Sequence, residues 1–286
     1  MASIIRCGIA GFTGENWNQG IWSGSVYPSP KPRGFHPLEF LAQHFDTAEI
    51  DYTWDRPLRE EVGRLWMQKV AHNRNFQFVA TLRHRFTQER VVVPAEAASF
   101  KRGLRALLRA GRLGALIMQF PWAFKFTKEN REFLIQLRRE FHEFPLVAEL
   151  RHSSWLATEA QGTLIDYKVG FVNIDQPELA KATPPTALLT TGVGFFRLHG
   201  RNHEGWFQES GKAGDYSYSD AELASWRQRI EHVRTFADKS FVMFSNNVRA
   251  RSFFNALDMQ AILDSGAAPR RPAAVAQHDL FDRFAA

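Results

Sequence analysis

The sequence has little of what several protein classes require. Its 286 residues include one cysteine, Cys7, which excludes a disulfide framework and a cysteine-based zinc site and fits a cytoplasmic location. No apolar stretch approaches the roughly 20 residues of a membrane helix, and the first residues lack the basic and apolar regions of a secretory signal. The net charge of +6 is small for this length and favours anionic partners weakly. No membrane partner is expected.

What the sequence does contain is an alternation of short apolar runs with segments of helical periodicity. Most runs are near-continuous, which is typical of parallel strands covered on both faces. Eight are predicted as strands: 4–10, 47–51, 76–82, 113–120, 146–150, 169–175, 194–199 and 240–245. Four helical stripes between them are Val62/Leu65/Trp66/Val70, Phe100/Leu104/Leu107/Leu108, Phe133/Leu134/Leu137/Phe141 and Leu223/Trp226/Ile230/Val233.

This alternation predicts a (β/α)8 TIM-type barrel over residues 1–265. Pro184 and Pro185 predict that the helix after the sixth strand is degenerate or missing. An open doubly wound sheet is the alternative, but the segment GFTGENWNQG after the first strand lacks the phosphate-loop pattern GxGxxG. Residues 266–286 are rich in Ala, Pro and Arg and predict a flexible C-terminal tail.

Two helix starts are also marked. Ser219 followed by Glu222 predicts a capping box, and Pro37 suits the first turn of an early helix.

Polar groups follow seven of the eight predicted strands, at the end where such barrels carry their chemistry. The candidate catalytic residues, suited to general acid–base work, are Glu49, Glu149, Asp175 and His199. The last three are also candidate ligands for a divalent metal ion, the one cofactor considered. Candidate substrate-binding residues are Arg151, Arg197 and Arg201, whose planar forks suit phosphate, with Gln119, His152, Asn246, Asn247, Trp155 and Trp206.

Tryptophans add a second indication at the same end of the barrel. Six fall just after predicted strands, where they would stack on sugars or bases: Trp17, Trp22, Trp54, Trp122, Trp155 and Trp206. The alternative is that they anchor loops by packing against one another. Trp66 and Trp226 lie on helical stripes and are predicted core residues.

Two function classes stay open from these residues. One is an enzyme, hydrolase- or phosphodiesterase-like or isomerase-like, acting on a phosphate- or sugar-containing substrate that includes nucleic acid. Its glycosidase variant would use Glu49 and Glu149 as a carboxylate pair, which depends on their separation. The other is a non-catalytic module that binds a ligand or nucleic acid. A structural alternative is an ion-pair network that closes the barrel, such as Glu149 with Arg197.

Several segments together resemble the domain-of-unknown-function 72 family, also called YecE-like, from about residue 6 to residue 256. They are CGIAGF, HFDTAEIDYT, LGALIMQFP, AELRHSSW, FFRLHGRN, YSYSDAELASW and SNNVRARSFFNA. The resemblance implies a barrel related to sugar isomerases and apurinic endonucleases by fold, with no established activity. The rim positions that it implies here are Glu49, Gln119, Glu149, Arg151, His152, Asp175, Arg197, His199, Asn246, Asn247 and Asn255.

The chain departs from the family pattern at four positions. It has Asp55 where the family commonly has Tyr, Thr81 in place of Lys, Gln88 in place of His, and Ser245 in place of Phe. A shared mechanism that needs the Lys and the His is therefore not expected in this chain.

The tail contains QHDLF, which resembles the short peptide that docks bacterial DNA-repair and replication proteins on the sliding clamp. Leu280 and Phe281 would enter an apolar cleft while the Gln277 amide makes hydrogen bonds. The alternative is that the apolar side chains dock on the outer helices of the barrel.

Overall fold

The computed structural model describes residues 3–12, 26–28, 30–204, 206 and 212–264. Eight parallel strands form a closed barrel in chain order, each paired with its neighbours and β8 with β1. The strands are β1 (Ile4–Ala10), β2 (Thr47–Ile50), β3 (Gln77–Thr81), β4 (Leu113–Gln119), β5 (Leu146–Glu149), β6 (Gly170–Asp175), β7 (Val193–Leu198) and β8 (Lys239–Phe244). The predicted TIM-type barrel is confirmed, and every strand end lies within one residue of its predicted position.

Helices follow the strands on the outside of the barrel. They are α1 (Pro37–His44), α2 (Glu60–Lys69), α3 (His84–Thr87), α4 (Pro94–Arg109), α5 (Lys128–Glu140), α6 (Thr158–Asp166), α7 (Asp220–Arg234) and α8 (Arg251–Leu263). Pro37 begins α1, and the capping box of Ser219 and Glu222 begins α7, both as predicted. Residues 176–192, all described, contain no helix between β6 and β7, so that prediction is also confirmed.

Most residues of the helical stripes lie in the apolar layer between strands and helices. Trp66 and Trp226 lie in this layer, as predicted. Leu65 is the exception in the first stripe, since 45% of it is exposed. Within the described ranges, no helix is both long enough and apolar enough to cross a bilayer.

A second, separate apolar cluster fills the inside of the barrel. Its buried members are Val79, Ala115, Ile117, Val147, Val172, Ile174, Phe195, Phe241 and Met243. Because alternate residues of a strand face the same side, the residue two positions after an inward apolar side chain also faces inward. This rule puts Gln119 after Ile117 and Glu149 after Val147 on the inside of the barrel mouth.

Candidate functional site

A layer of polar side chains covers the inner apolar cluster at the carboxyl ends of the strands. Five strands contribute one residue each, and the sixth residue directly follows β8: Glu49, Thr81, Gln119, Glu149, Arg197 and Ser245. Arg197 lies on β7 yet contacts side chains from β2, β4 and β5, so these side chains converge across the interior. The sequence-based expectation that strand-end groups share one end of the barrel is met by this layer.

Arg197 is the centre of the layer. Its Nη1 donates to Gln119 Oε1 and to Glu149 Oε2, each at 2.6 Å. Its Nη2 donates to Glu49 Oε1 at 2.8 Å, and its Nε donates to Ser245 Oγ at 3.2 Å. The two carboxylates hold the pKa of the buried guanidinium above its usual range despite burial. Arg197 therefore joins two carboxyl groups into one network, which is the ion pairing considered above for Glu149.

Glu149 accepts hydrogen bonds at both of its carboxylate oxygens. Its Oε1 accepts hydrogen bonds from Arg151 Nη2 at 2.7 Å and Arg151 Nε at 2.8 Å, and Oε2 accepts from Arg197. Burial alone would raise the pKa of this group. The hydrogen bond from His199 and the positive charges of Arg151 and Arg197 outweigh burial and lower its pKa well below the usual range. Both oxygens are thus occupied inside the protein.

Glu49 has a different environment, although it belongs to the same network. Thr81 Oγ1 donates to Glu49 Oε1 at 2.6 Å, and the same oxygen accepts from Arg197. The other oxygen, Oε2, is buried and has no hydrogen-bond partner. Burial raises the pKa of Glu49, and the charge of Arg197 with the hydrogen bond from Thr81 opposes this rise without cancelling it. Of the two carboxyl groups, Glu49 therefore has the higher pKa.

His199 connects the ionised carboxylate to the aromatic side of the mouth. Its Nε2 lies 3.1 Å from Glu149 Oε1, and its ring packs edge-on against Trp206 at 5.7 Å between centroids. The Arg151 guanidinium lies over the same indole, 5.1 Å from the ring centroid. Burial lowers the pKa of His199 to about 4, because the attraction of Glu149 is smaller than the desolvation. The imidazole is neutral near pH 7.

The lowered pKa of His199 predicts a pH dependence of stability. Between pH 6.5 and about 4 the unfolded chain binds a proton that the folded chain does not, so the free energy of unfolding falls as the pH falls. Urea unfolding across this range is expected to show that slope, and His199→Gln is expected to make it shallower. His232→Gln, on the exposed side of α7, is the control. An equal slope in wild type and His199→Gln would contradict this assignment.

Asp175 does not join the polar layer, contrary to the grouping expected from the sequence. Ile174 packs in the inner cluster, so the side chain of Asp175 lies on the opposite, outer face of β6. Arg201 Nε donates to Asp175 Oδ1 at 3.0 Å, and Tyr218 also hydrogen-bonds this carboxylate. Arg201 Nη1 reaches Glu222 at 3.2 Å. This second network fixes the ends of the segment between β7 and α7.

The expected metal site of Glu149, Asp175 and His199 is therefore not formed. In the described ranges no three His, Cys, Asp or Glu side chains are grouped so as to hold an ion. The physical reason is that the two carboxylates lie on opposite faces of the barrel wall, and each is already bound by arginine.

Three other predicted substrate-binding residues have local structural roles. Trp155 is fully buried, stacks on Phe124 and donates from Nε1 to its carbonyl oxygen at 2.7 Å, so its prediction as a rim aromatic is wrong. Asn246 is also fully buried and donates to Tyr216 O at 2.8 Å. His152 accepts from the backbone N–H of Ser154 and caps the turn at 153–156. Burial is what the sequence pattern could not show for these residues.

The departures from the family pattern contribute contacts that the sequence analysis missed. Thr81 donates to Glu49, and Ser245 accepts from Arg197. Gln88 Nε2 donates to the Gln119 carbonyl oxygen at 2.6 Å. The signal that would have found Thr81 and Ser245 is their position two residues after the inward-facing Val79 and Met243. Asp55 is different, since its carbonyl oxygen accepts from Arg83 outside the layer.

Some predicted residues lie outside the described part of the chain. These are Trp17, Trp22 and the tail residues Gln277, Leu280 and Phe281. Docking of the tail on a sliding clamp stays a prediction, which co-purification with the clamp before and after deletion of residues 277–281 would test.

The fold and site define a parallel eight-stranded barrel with a buried, arginine-centred acidic cluster at its carboxyl end. The chain belongs to the family described as "Protein of unknown function DUF72", whose sequence model matches residues 6–278. A curated relative is UPF0759 protein YunF of Bacillus subtilis, 27% identical over 278 residues that cover 90% of this chain and 95% of the relative. The resemblance seen in the sequence is thereby confirmed.

Solved structures of the same family agree with the fold. A DUF72 family protein from Thermotoga maritima superposes with a TM-score of 0.78 at 26% identity, covering 92% of this chain and all of that one. A DUF72 family protein from Enterococcus faecalis gives a TM-score of 0.78 at 24% identity, with coverage of 94% and 98%. The family description assigns no activity, so function rests on the site itself.

Proposed function

We propose that this protein is an acid–base enzyme of the hydrolase or isomerase type that acts on a sugar-containing small molecule at the carboxyl end of the barrel. One observation carries the proposal: two buried carboxyl groups share Arg197, yet the pKa of Glu49 is raised and that of Glu149 is lowered. A pair whose pKa values are driven apart divides two roles within one site, an acid and an ionised partner. Glu49 is assigned the acid, and Glu149, whose oxygens already accept from arginine, is its electrostatic partner.

The hydrogen bonding of the mouth favours a neutral sugar over a phosphate. The guanidinium groups of Arg197 and Arg151 already donate to Glu149, and that of Arg201 donates to Asp175 in the neighbouring network. A phosphate clamp needs guanidinium N–H groups that are free to bind it. Trp206, with His199 against it, supplies an aromatic surface of the kind on which sugar rings stack.

The test is a substrate panel with the purified protein. It contains aryl glycosides and free aldoses and ketoses, their phosphates, and an oligonucleotide with an abasic site. Turnover of a neutral sugar substrate is expected. Turnover confined to phosphates or the oligonucleotide would contradict the substrate class. Saturable binding without turnover would establish the binding module instead, and neither binding nor turnover would overturn the proposal.

A further inference from the structure

Two buried oxygen atoms flank the carboxyl end of β1 without a hydrogen-bond partner. They are Glu49 Oε2 and Asn247 Oδ1. A buried acceptor without a partner destabilises the fold, and native proteins leave few of them. Two such atoms beside one strand end, in the mouth of the barrel, indicate a partner that is not part of this chain.

The register of the barrel places both side chains beside Ala10, the last residue of β1. Ala10 is opposite Glu49 in the β1–β2 pairing, and Asn247 Nδ2 donates to Ala10 O at 2.8 Å from the β8 side. Cys7 and Ile9 pack in the outer apolar layer, so Ala10 faces inward and contributes a methyl group. Its small size leaves β1 without a side-chain donor for either oxygen.

The hydrogen bonds that Glu49 and Asn247 already make determine which oxygen of each side chain has no partner. The carbonyl oxygen of Ala10 can accept only from an amide N–H, so Asn247 presents Oδ1 on its other side. Thr81 and Arg197 both donate to Glu49 Oε1, so Oε2 remains. Asn247 Oδ1 requires a donor, whereas a protonated Glu49 offers one.

We infer that Glu49 Oε2 and Asn247 Oδ1 form a hydroxyl-binding subsite at the end of β1, which accepts the neutral, hydroxylated end of a sugar. A hydroxyl group both donates and accepts, so it satisfies an amide oxygen and a carboxyl O–H together. A phosphate or carboxylate oxygen accepts only and would leave Asn247 Oδ1 unpaired. The sugar class rests on the proposed function.

Binding measurements test the subsite without requiring turnover. The probes are aldoses and ketoses, each with single-deoxy and phosphorylated derivatives, titrated by calorimetry. At least one free sugar is expected to bind, and loss of one particular hydroxyl is expected to weaken its binding about tenfold, the size of one hydrogen bond. Asn247→Ala is expected to weaken binding of the parent sugar by a similar factor and to leave binding of the deoxy sugar unchanged.

Two variants keep the test decisive. Glu49→Gln retains an oxygen for Thr81 and Arg197 and places an N–H donor at the Oε2 position, so binding is expected to stay within about threefold. Asn75→Ala, an exposed change near the opposite end of the barrel, is the control. If Asn247→Ala weakens the binding of parent and deoxy sugars equally, or weakens neither, the subsite is wrong, whereas the proposed function is unaffected. The expected binding pattern without turnover would overturn the proposed function. No binding of any sugar would overturn both.

Discussion

Replacement of Arg197 by methionine is expected to lower the free energy of unfolding by about 3–5 kcal/mol, the usual cost of removing one partner from a buried ion pair. The guanidinium is 9% exposed and donates to four side chains. Its loss leaves Glu49 and Glu149 buried with less compensation. Urea unfolding of the variant at pH 7 measures this effect.

The pH dependence of the same variant identifies the cause. Without Arg197 the pKa values of both carboxyl groups rise in the folded state, so the folded chain binds more protons than the unfolded chain. The deficit in unfolding free energy is therefore expected to be largest near pH 7 and to shrink as the pH falls toward 5. Arg105→Met, which breaks the surface pair with Glu143, is the control and is expected to show no resolvable change. A deficit independent of pH would indicate lost packing rather than uncompensated charge.

Glu49→Gln is expected to reduce turnover of any sugar substrate by about 10²–10⁴-fold, the range for loss of a general acid. The amide cannot release a proton, yet its oxygen can accept from Thr81 and Arg197 as the carboxylate does. The variant is therefore expected to unfold cooperatively near the wild-type temperature. Steady-state kinetics with a thermal melt separate the loss of chemistry from loss of fold.

The pH profile gives an independent measure of the same role. Because the pKa of Glu49 is raised by burial, wild-type turnover is expected to fall as the pH rises through that value. The pH profile of Glu49→Gln should lack this decrease in turnover, and the control Glu61→Gln, at an exposed position, should keep it. Unchanged turnover in Glu49→Gln would remove Glu49 from the proposed chemistry. Glu149→Gln is a poor substitute for this test, because both Glu149 oxygens accept hydrogen bonds and an amide would face a guanidinium.

The architecture could be predicted because it follows from local patterns. Continuous apolar runs of strand length, four helical stripes and the missing phosphate loop together indicate a closed parallel barrel. The start of α7 was predictable in the same way, since a capping box is formed by residues three apart. Such features need no knowledge of distant contacts.

The membership of the site was predicted in part. Arg197, Glu149 and Glu49 were found because strand ends point to one end of the barrel. Asp175 was misplaced although β6 carried the signal, since side chains alternate and Ile174 faces inward. Thr81 and Ser245 were treated as departures, and their contacts to Glu49 and Arg197 become visible only across strands.

The sequence by itself determined the order of strands and helices and the polar character of the barrel mouth, because periodicity and residue type are local properties. Tertiary structure decided which carboxyl group has the higher pKa, which oxygen lacks a partner and which tryptophan is buried. The pKa values of the two carboxyl groups depend on the position of Arg197, which reaches β2 and β5 through space over 148 and 48 residues of chain. A pKa is set by all charges and burial around a group, and no sequence interval encodes that sum.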